Sequence, residues 1–161
     1  HRSFSKREQT LAIYKRSQWH GGAFGDKAPN LTGIIVAPNM QQLGLGTALI
    51  AKLVSQERVP SIIAHTRNPA VITALSRIAT VFPIMSSAQM LHMAEAMPHT
   101  EVIEGIAYHT NRYGVDGLYG NFDPADRCLP GHRISLKDEY IGLENPRTAL
   151  VVVASVNKEV L

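Results

Sequence analysis

Apolar positions change period several times along the chain. From Thr32 to Val36 they run almost unbroken and stop at Ala37-Pro38-Asn39, which predicts a short buried strand bounded by a turn. From Gly46 the spacing becomes helical. Ile50 pairs with Val54 and Leu49 with Leu53, while Thr47, Ser55 and Arg58 fall on the other side. Val59-Pro60 closes that segment, and Ser61 to His65 reads as a second strand. The three pieces predict a strand–helix–strand unit with parallel strands and a right-handed crossover. Asn68-Pro69 opens the next helix, since asparagine caps well and proline suits the first helical position. Val71, Leu75 and Ile78 are its expected buried side.

The flanks are less regular. Upstream, Thr10–Tyr14 and Trp19–Phe24 read as two strands joined through Lys15-Arg16-Ser17, and Gly25 to Asn30 is turn chemistry. Downstream, Ser86 to Met97 predicts a helix with Met90, Ala94 and Met97 on one face, broken by Pro98. Thr100 is the expected cap of a further helix through Asn111, with Glu101 and Glu104 near its positive end. Arg112 to Asp126 reads as a long loop or pair of turns, and His132 to Leu136 as an edge strand. Thr148 to Val156 is the clearest buried strand of the C-terminal half. No internal repeat or low-complexity segment interrupts this order.

Composition narrows the class. A chain of 161 residues with 45% hydrophobic and 18% charged residues fits one soluble globular domain. No apolar run reaches the roughly 18 residues of a membrane span, and HRSFSKREQ holds no apolar signal core. A lone cysteine, Cys128, excludes an internal disulfide and fits a reducing compartment, so a cytoplasmic location is expected. The net charge of +3 is dispersed, which suits a phosphate-rich small molecule better than nucleic acid.

The chemistry expected of the unit lies at its turn. A strand feeding a glycine-bearing bend into a helix start presents free backbone N–H groups and the positive end of the helix dipole, an anion site. A P-loop is excluded because Gly46 is followed by Thr47 and Ala48 rather than lysine and a hydroxyl residue. The dinucleotide fingerprint fails at Leu49, where it needs a third small residue. What remains is Val36-x-Pro38 followed by Gln41-x-x-Gly44-x-Gly46. This pattern resembles the pyrophosphate-binding motif of the GNAT superfamily of acetyl-CoA-dependent N-acyltransferases, and Asn68 stands where that family carries a cofactor-contacting asparagine. The resemblance covers about residues 31–80.

It implies an α/β (α+β) fold: a GNAT-like mixed, splayed central sheet flanked by helices. Residues 1–30 would form a partial N-terminal hairpin region, 31–80 the cofactor-binding core, and 81–161 the C-terminal helices and strands. The strand and two helices that the family places before the hairpin do not fit in thirty residues. That part is expected to be missing or supplied by another chain, and a homo-oligomer is one expectation. The pantetheine arm of acetyl-CoA, or of another acyl-CoA, would lie between the splayed strands along Ile34, Ile35 and Val36. Amides of Gln41, Gln42, Leu43, Gly44, Leu45, Gly46 and Thr47 would hold the pyrophosphate, with Asn68 contacting the cofactor. The implied reaction is direct attack of an amine on the thioester, assisted by an oxyanion donor, a base and an acid. The acceptor itself is not legible.

The family's tyrosine acid falls at Leu75, which cannot donate a proton, so a non-catalytic coenzyme-A-binding or interaction module on the same fold is the alternative. A glycine-rich nucleotide binder is a third possibility. Catalytic candidates are Ser76 beside Leu75, His65 at a strand end, and Tyr108 and Tyr113 in the cluster Tyr108, His109, Arg112 and Tyr113. No metal is expected, because Cys128 and His132 with Asp123 and Asp126 lack a paired ligand spacing. Asp123-Pro124 reads as a cap or turn, and the methionines as core.

Overall fold

The computed structural model describes residues 16–20, 27–31, 43–114 and 121–161. They form a mixed sheet in the order β1-β2-β3-β7-β6-β5, with β4 also on β7. The strands are β1 (Arg16–His20), β2 (Lys27–Leu31), β3 (Ser61–Thr66), β4 (Ala79–Phe82), β5 (Thr100–Ile103), β6 (Ile106–His109) and β7 (Ala149–Val156). The helices are α1 (Leu45–Glu57), α2 (Pro69–Ser76), α3 (Ala88–Glu95) and the single turn α4 (Leu136–Glu139). This is a mixed α/β architecture. No helix among the described residues is long and apolar enough to cross a membrane.

A strand–helix–strand unit with parallel strands is present, but its first described strand is β2 rather than the expected Thr32–Val36. β2 pairs parallel with β3 through Asn30–Ile63 and Leu31–Ala64, and α1 connects them. The predicted strand over Thr32–Val36 lies outside the described residues, as do Thr10–Tyr14 and Gly21–Phe24.

β7 holds the sheet together, because its alternate side chains feed two separate cores. Leu150, Val152, Ala154 and Val156 share one core with Ile62 and Ala64 of β3, with Ile50, Leu53 and Val54 of α1, and with Ile72 and Leu75 of α2. Val151 and Val153 share the other with Ile63, Phe82, Ala107 and the α3 face Met90, Met93, Ala94 and Met97. The methionines at 90, 93 and 97 are therefore core, as expected, whereas Met85 is exposed. Leu136, Tyr140 and Leu143 close the first core beyond α2.

Several expectations are corrected. Residues 100–111 are not a helix but the hairpin β5–β6, paired from Thr100–His109 to Ile103–Ile106. Glu104 and Gly105 both take positive φ, 51° and 78°, which makes the two-residue turn that suits strand twist. The run Thr-Glu-Val-Ile is rich in β-branched residues, and that outweighs the capping pattern. His132–Leu136 is no edge strand: Ser135 caps α4, accepting from the Asp138 amide, and the only pairing is a lone bridge from Cys128 to Ser135. Arg16 and Ser17 belong to β1, and Lys27 to Asn30 to β2, where a connection and a turn are expected. Pro29 is tolerated there because, among the described residues, β2 pairs with β3 at Asn30 and Leu31, so at Pro29 it has a strand neighbour on the β1 side alone. In α2 the fully buried side chains are Ile72 and Leu75, with Val71 half-buried. β4 carries no turn signal of its own and was not foreseen.

Candidate functional site

The start of α1 is shaped by glycine. Gly44 sits at the cap with φ 75°, a left-handed conformation that a side chain would strain. The amides of Leu45, Gly46 and Thr47 have no acceptor within the helix, and the Ala48 amide is the first to find one, the Gly44 carbonyl at 3.0 Å. Among the described residues no side chain caps these donors, and the first turn holds no acidic residue. A Cβ built on Gly46 would meet nothing within 4 Å. Neither packing nor backbone geometry therefore asks for glycine at 46, although a helical glycine costs about 1 kcal/mol relative to alanine. One cation stands close by: Arg77, at the end of α2, reaches the Thr47 hydroxyl at 3.5 Å. Leu43 is exposed, while Ile34, Ile35, Val36, Gln41 and Gln42 lie outside the described residues.

Asn68 follows β3 and caps α2, its Oδ1 accepting from the Ala70 amide at 3.0 Å. Its own amide donates to Thr66 Oγ1 at 3.0 Å. Sequence reasoning missed what locks this corner. Arg67 is 2% exposed, and its guanidinium grips both oxygens of Asp123, at 2.8 Å from Nε and 2.5 Å from Nη2. The remaining donors reach the carbonyls of Leu143, Asn145 and Thr148 at 2.8, 2.9 and 2.6 Å. A buried charge is tolerated only when paired and fully hydrogen-bonded, and here it is. The Arg67 hydrogen bond, ahead of smaller contributions, holds the Asp123 carboxyl below its usual range. Asp123 also accepts from the Ala125 amide, so it is the expected cap as well as the arginine's partner.

The four catalytic candidates do not converge. Ser76 is exposed, and its hydroxyl donates back to the Ile72 carbonyl at 2.9 Å. Leu75 is fully buried in the helix-side core. Tyr108 points into that same core at 1% exposure, its ring lying under Gly142, and burial raises its phenol above the usual value. Tyr113 is half-buried where its amide donates to the Arg147 carbonyl. His65 stands two residues after Ile63 in β3, shares its face and so lies on the α3 side of the sheet. There its ring meets His109 edge-on, centroids 4.9 Å apart. Burial, then the charge of Arg112 and the neighbouring His109, lower the His65 imidazole to about 3. At neutral pH it is an uncharged ring. Among the described residues no group of three or more His, Cys, Asp or Glu side chains could hold a metal ion. His132 pairs with Glu139 at 2.8 Å instead of with Cys128.

No protein-family model matches the chain, and neither a curated protein nor a solved structure matches it.

Proposed function

We propose that this protein is a GNAT-like N-acyltransferase that moves an acetyl or similar acyl group from coenzyme A to an amine by direct attack on the thioester. The observation that carries the reading is the start of α1: three amides that no described side chain caps, a left-handed Gly44, and a Gly46 whose Cβ would meet nothing within 4 Å among the described residues. Such a surface suits a diphosphate, which needs backbone donors and close approach rather than a particular side chain. Its setting supports the same ligand. α1 leads from β2 into the parallel β3, and the guanidinium of Arg77 stands at Thr47 where a further phosphate charge would be welcome. Asn68, already ordered as a cap at the end of β3, would face the cofactor's arm. The reaction itself would draw on main-chain donors for the oxyanion.

Calorimetric titration of acetyl-CoA into the wild type and into a Gly44→Ala/Gly46→Ala variant tests this. Binding that the double substitution abolishes supports it, and equal or absent binding in both sinks it.

A second reading, a coenzyme-A-binding module without turnover, is favoured by the burial of Leu75 where the family has its acid, and by the tied-back Ser76 hydroxyl. Release of free thiol with any member of an amine panel eliminates that alternative.

A further inference from the structure

Buried polar side-chain atoms in folded proteins almost always have a partner, and each exception needs a cause. Among the described residues the exceptions are His65 Nδ1 and Nε2, Thr100 Oγ1 and Arg147 Nε. Two of these residues, His65 and Thr100, adjoin one residue, His109. The His65 ring touches the His109 ring. Thr100 is the pairing partner of His109 across β5–β6. Arg147 lies two residues before Ala149, which pairs with His109 on the other side. His99 adds a third imidazole, 5.8 Å from that of His109.

The cluster carries one sign of charge. The charged groups acting on His65 are Arg112 and His109, and those acting on His109 are Arg112 and His99. None is a carboxylate. Glu101 and Glu104 on the neighbouring hairpin are exposed. The backbone is held for the purpose: His99 takes φ 57°, and its carbonyl accepts from the amide of Thr110 at 3.1 Å and from the Thr110 hydroxyl at 3.4 Å. His109 Nδ1 stands 3.0 Å from the Thr110 carbonyl. Donation there fixes the proton on Nδ1 and leaves Nε2 free.

We infer that His65, His109, Thr100 and Arg112 form a binding site for a small oxyanion, a carboxylate or phosphate group, on the α3 side of the sheet. An anion supplies what the site lacks: an acceptor for the orphaned Thr100 hydroxyl, and a counter-charge that lets an imidazole take up a proton and donate as well. A cation is disfavoured by Arg112. His65 stands three residues before Asn68 but on the sheet face opposite α1 and α2, so an acceptor held here would approach the thioester from across the sheet. That the anion is part of the amine acceptor, making it an amino acid or another amine with an acidic group, rests on the acyltransferase reading. The anion site does not.

The test is an NMR titration of the histidine ring signals at pH 6.5, without coenzyme A, using inorganic phosphate and succinate as separate probes. Saturable shifts of the His65 and His109 signals with either probe are expected, and which probe wins names the acidic group. Arg112→Gln, at a half-buried loop position, is expected to raise the apparent Kd at least tenfold with unchanged circular dichroism. No saturable shift with either probe, a response to zinc alone, or an Arg112→Gln variant that binds as tightly as wild type overturns the inference. Because acetyl-CoA is absent, these outcomes are independent of those of the cofactor titration.

Discussion

Replacing Gly46 with alanine separates a glycine kept for the fold from one kept for a ligand. In the free protein the new methyl meets nothing within 4 Å, and no positive φ stands in its way. Alanine also removes the entropy that glycine loses in a helix, so the substitution is expected to stabilise by about 0.5–1 kcal/mol. For a domain of this size that is a rise in Tm of roughly 1–4 °C. Gly44→Ala behaves oppositely. Its φ of 75° costs an alanine about 1 kcal/mol or more, so Tm falls by a few degrees. If a diphosphate sits on the Gly46 amide, the methyl collides with it, and affinity for acetyl-CoA drops at least about tenfold, roughly 1.4 kcal/mol. Gly46→Ala should thus gain stability while losing affinity. Thermal unfolding with and without acetyl-CoA reads both quantities on one sample, and calorimetry gives the affinity directly. A Gly46→Ala protein that is more stable and binds acetyl-CoA like the wild type refutes the ligand argument. One that is less stable shows a packing role that the open space at this position excludes.

Other consequences can be measured independently. Arg67→Leu leaves Asp123 and three carbonyls without their shared donor, and is expected to cost about 3–5 kcal/mol in urea unfolding. Asp123 has a folded pKa below its unfolded value, so its contribution is complete above about pH 5 and fades as pH falls through the folded value. Asp123→Asn should therefore be more destabilising at pH 7 than in acid, and an equal effect at both would exclude the ion pair as the cause. His65 follows the same arithmetic with the opposite charge. Between about pH 3 and pH 6.5 the unfolded chain takes up a proton that the folded chain refuses, so stability rises with pH across that window. His65→Gln should flatten that slope, and a ring signal titrating near 6.5 would contradict it. Gly142→Ala would place a methyl 2.6 Å from the Tyr108 ring, an overpacking expected to cost about 1–3 kcal/mol and to lower Tm.

Local signals and long-range pairing divide what could be read in advance. β7, α1, β3 and the Asn68 cap were legible because each announces itself within a few residues: an unbroken aliphatic run, a helical period, a cap followed by proline. α3 was legible for the same reason. The β5–β6 hairpin was not, because Thr100 with Glu101 and Glu104 mimics a helix start while Glu104-Gly105 is an equally local turn signal, and strand pairing decides between them. β4 depends on Val153–Val156 for its existence, as β2 depends on β1 and β3, and no short window contains such partners. The site divides similarly. Gly44, Gly46 and Asn68 could be picked out from spacing, and His109 and Arg112 from the density of polar groups. His99 and Thr100 stand ten and nine residues before His109, and only the pairing of β5 with β6 brings them to it. Arg67 gave one clue, a cation lodged between a buried strand and a helix cap, and nothing in the sequence marks its acceptors 56 to 81 residues away.

β7 gives one edge to β3, from Leu150 to Ser155, and divides the other between β6 at Ala149–Leu150 and β4 at Val153–Val156. All three neighbours precede it on the ribosome. Until residues 149–156 have emerged, each of those ribbons presents bare peptide groups and a half-clad aliphatic flank, the condition under which nascent chains adhere to one another. Folding of this protein is therefore a late, largely single event rather than a progressive one, and a stop codon ahead of Ala149 yields not a smaller domain but insoluble material.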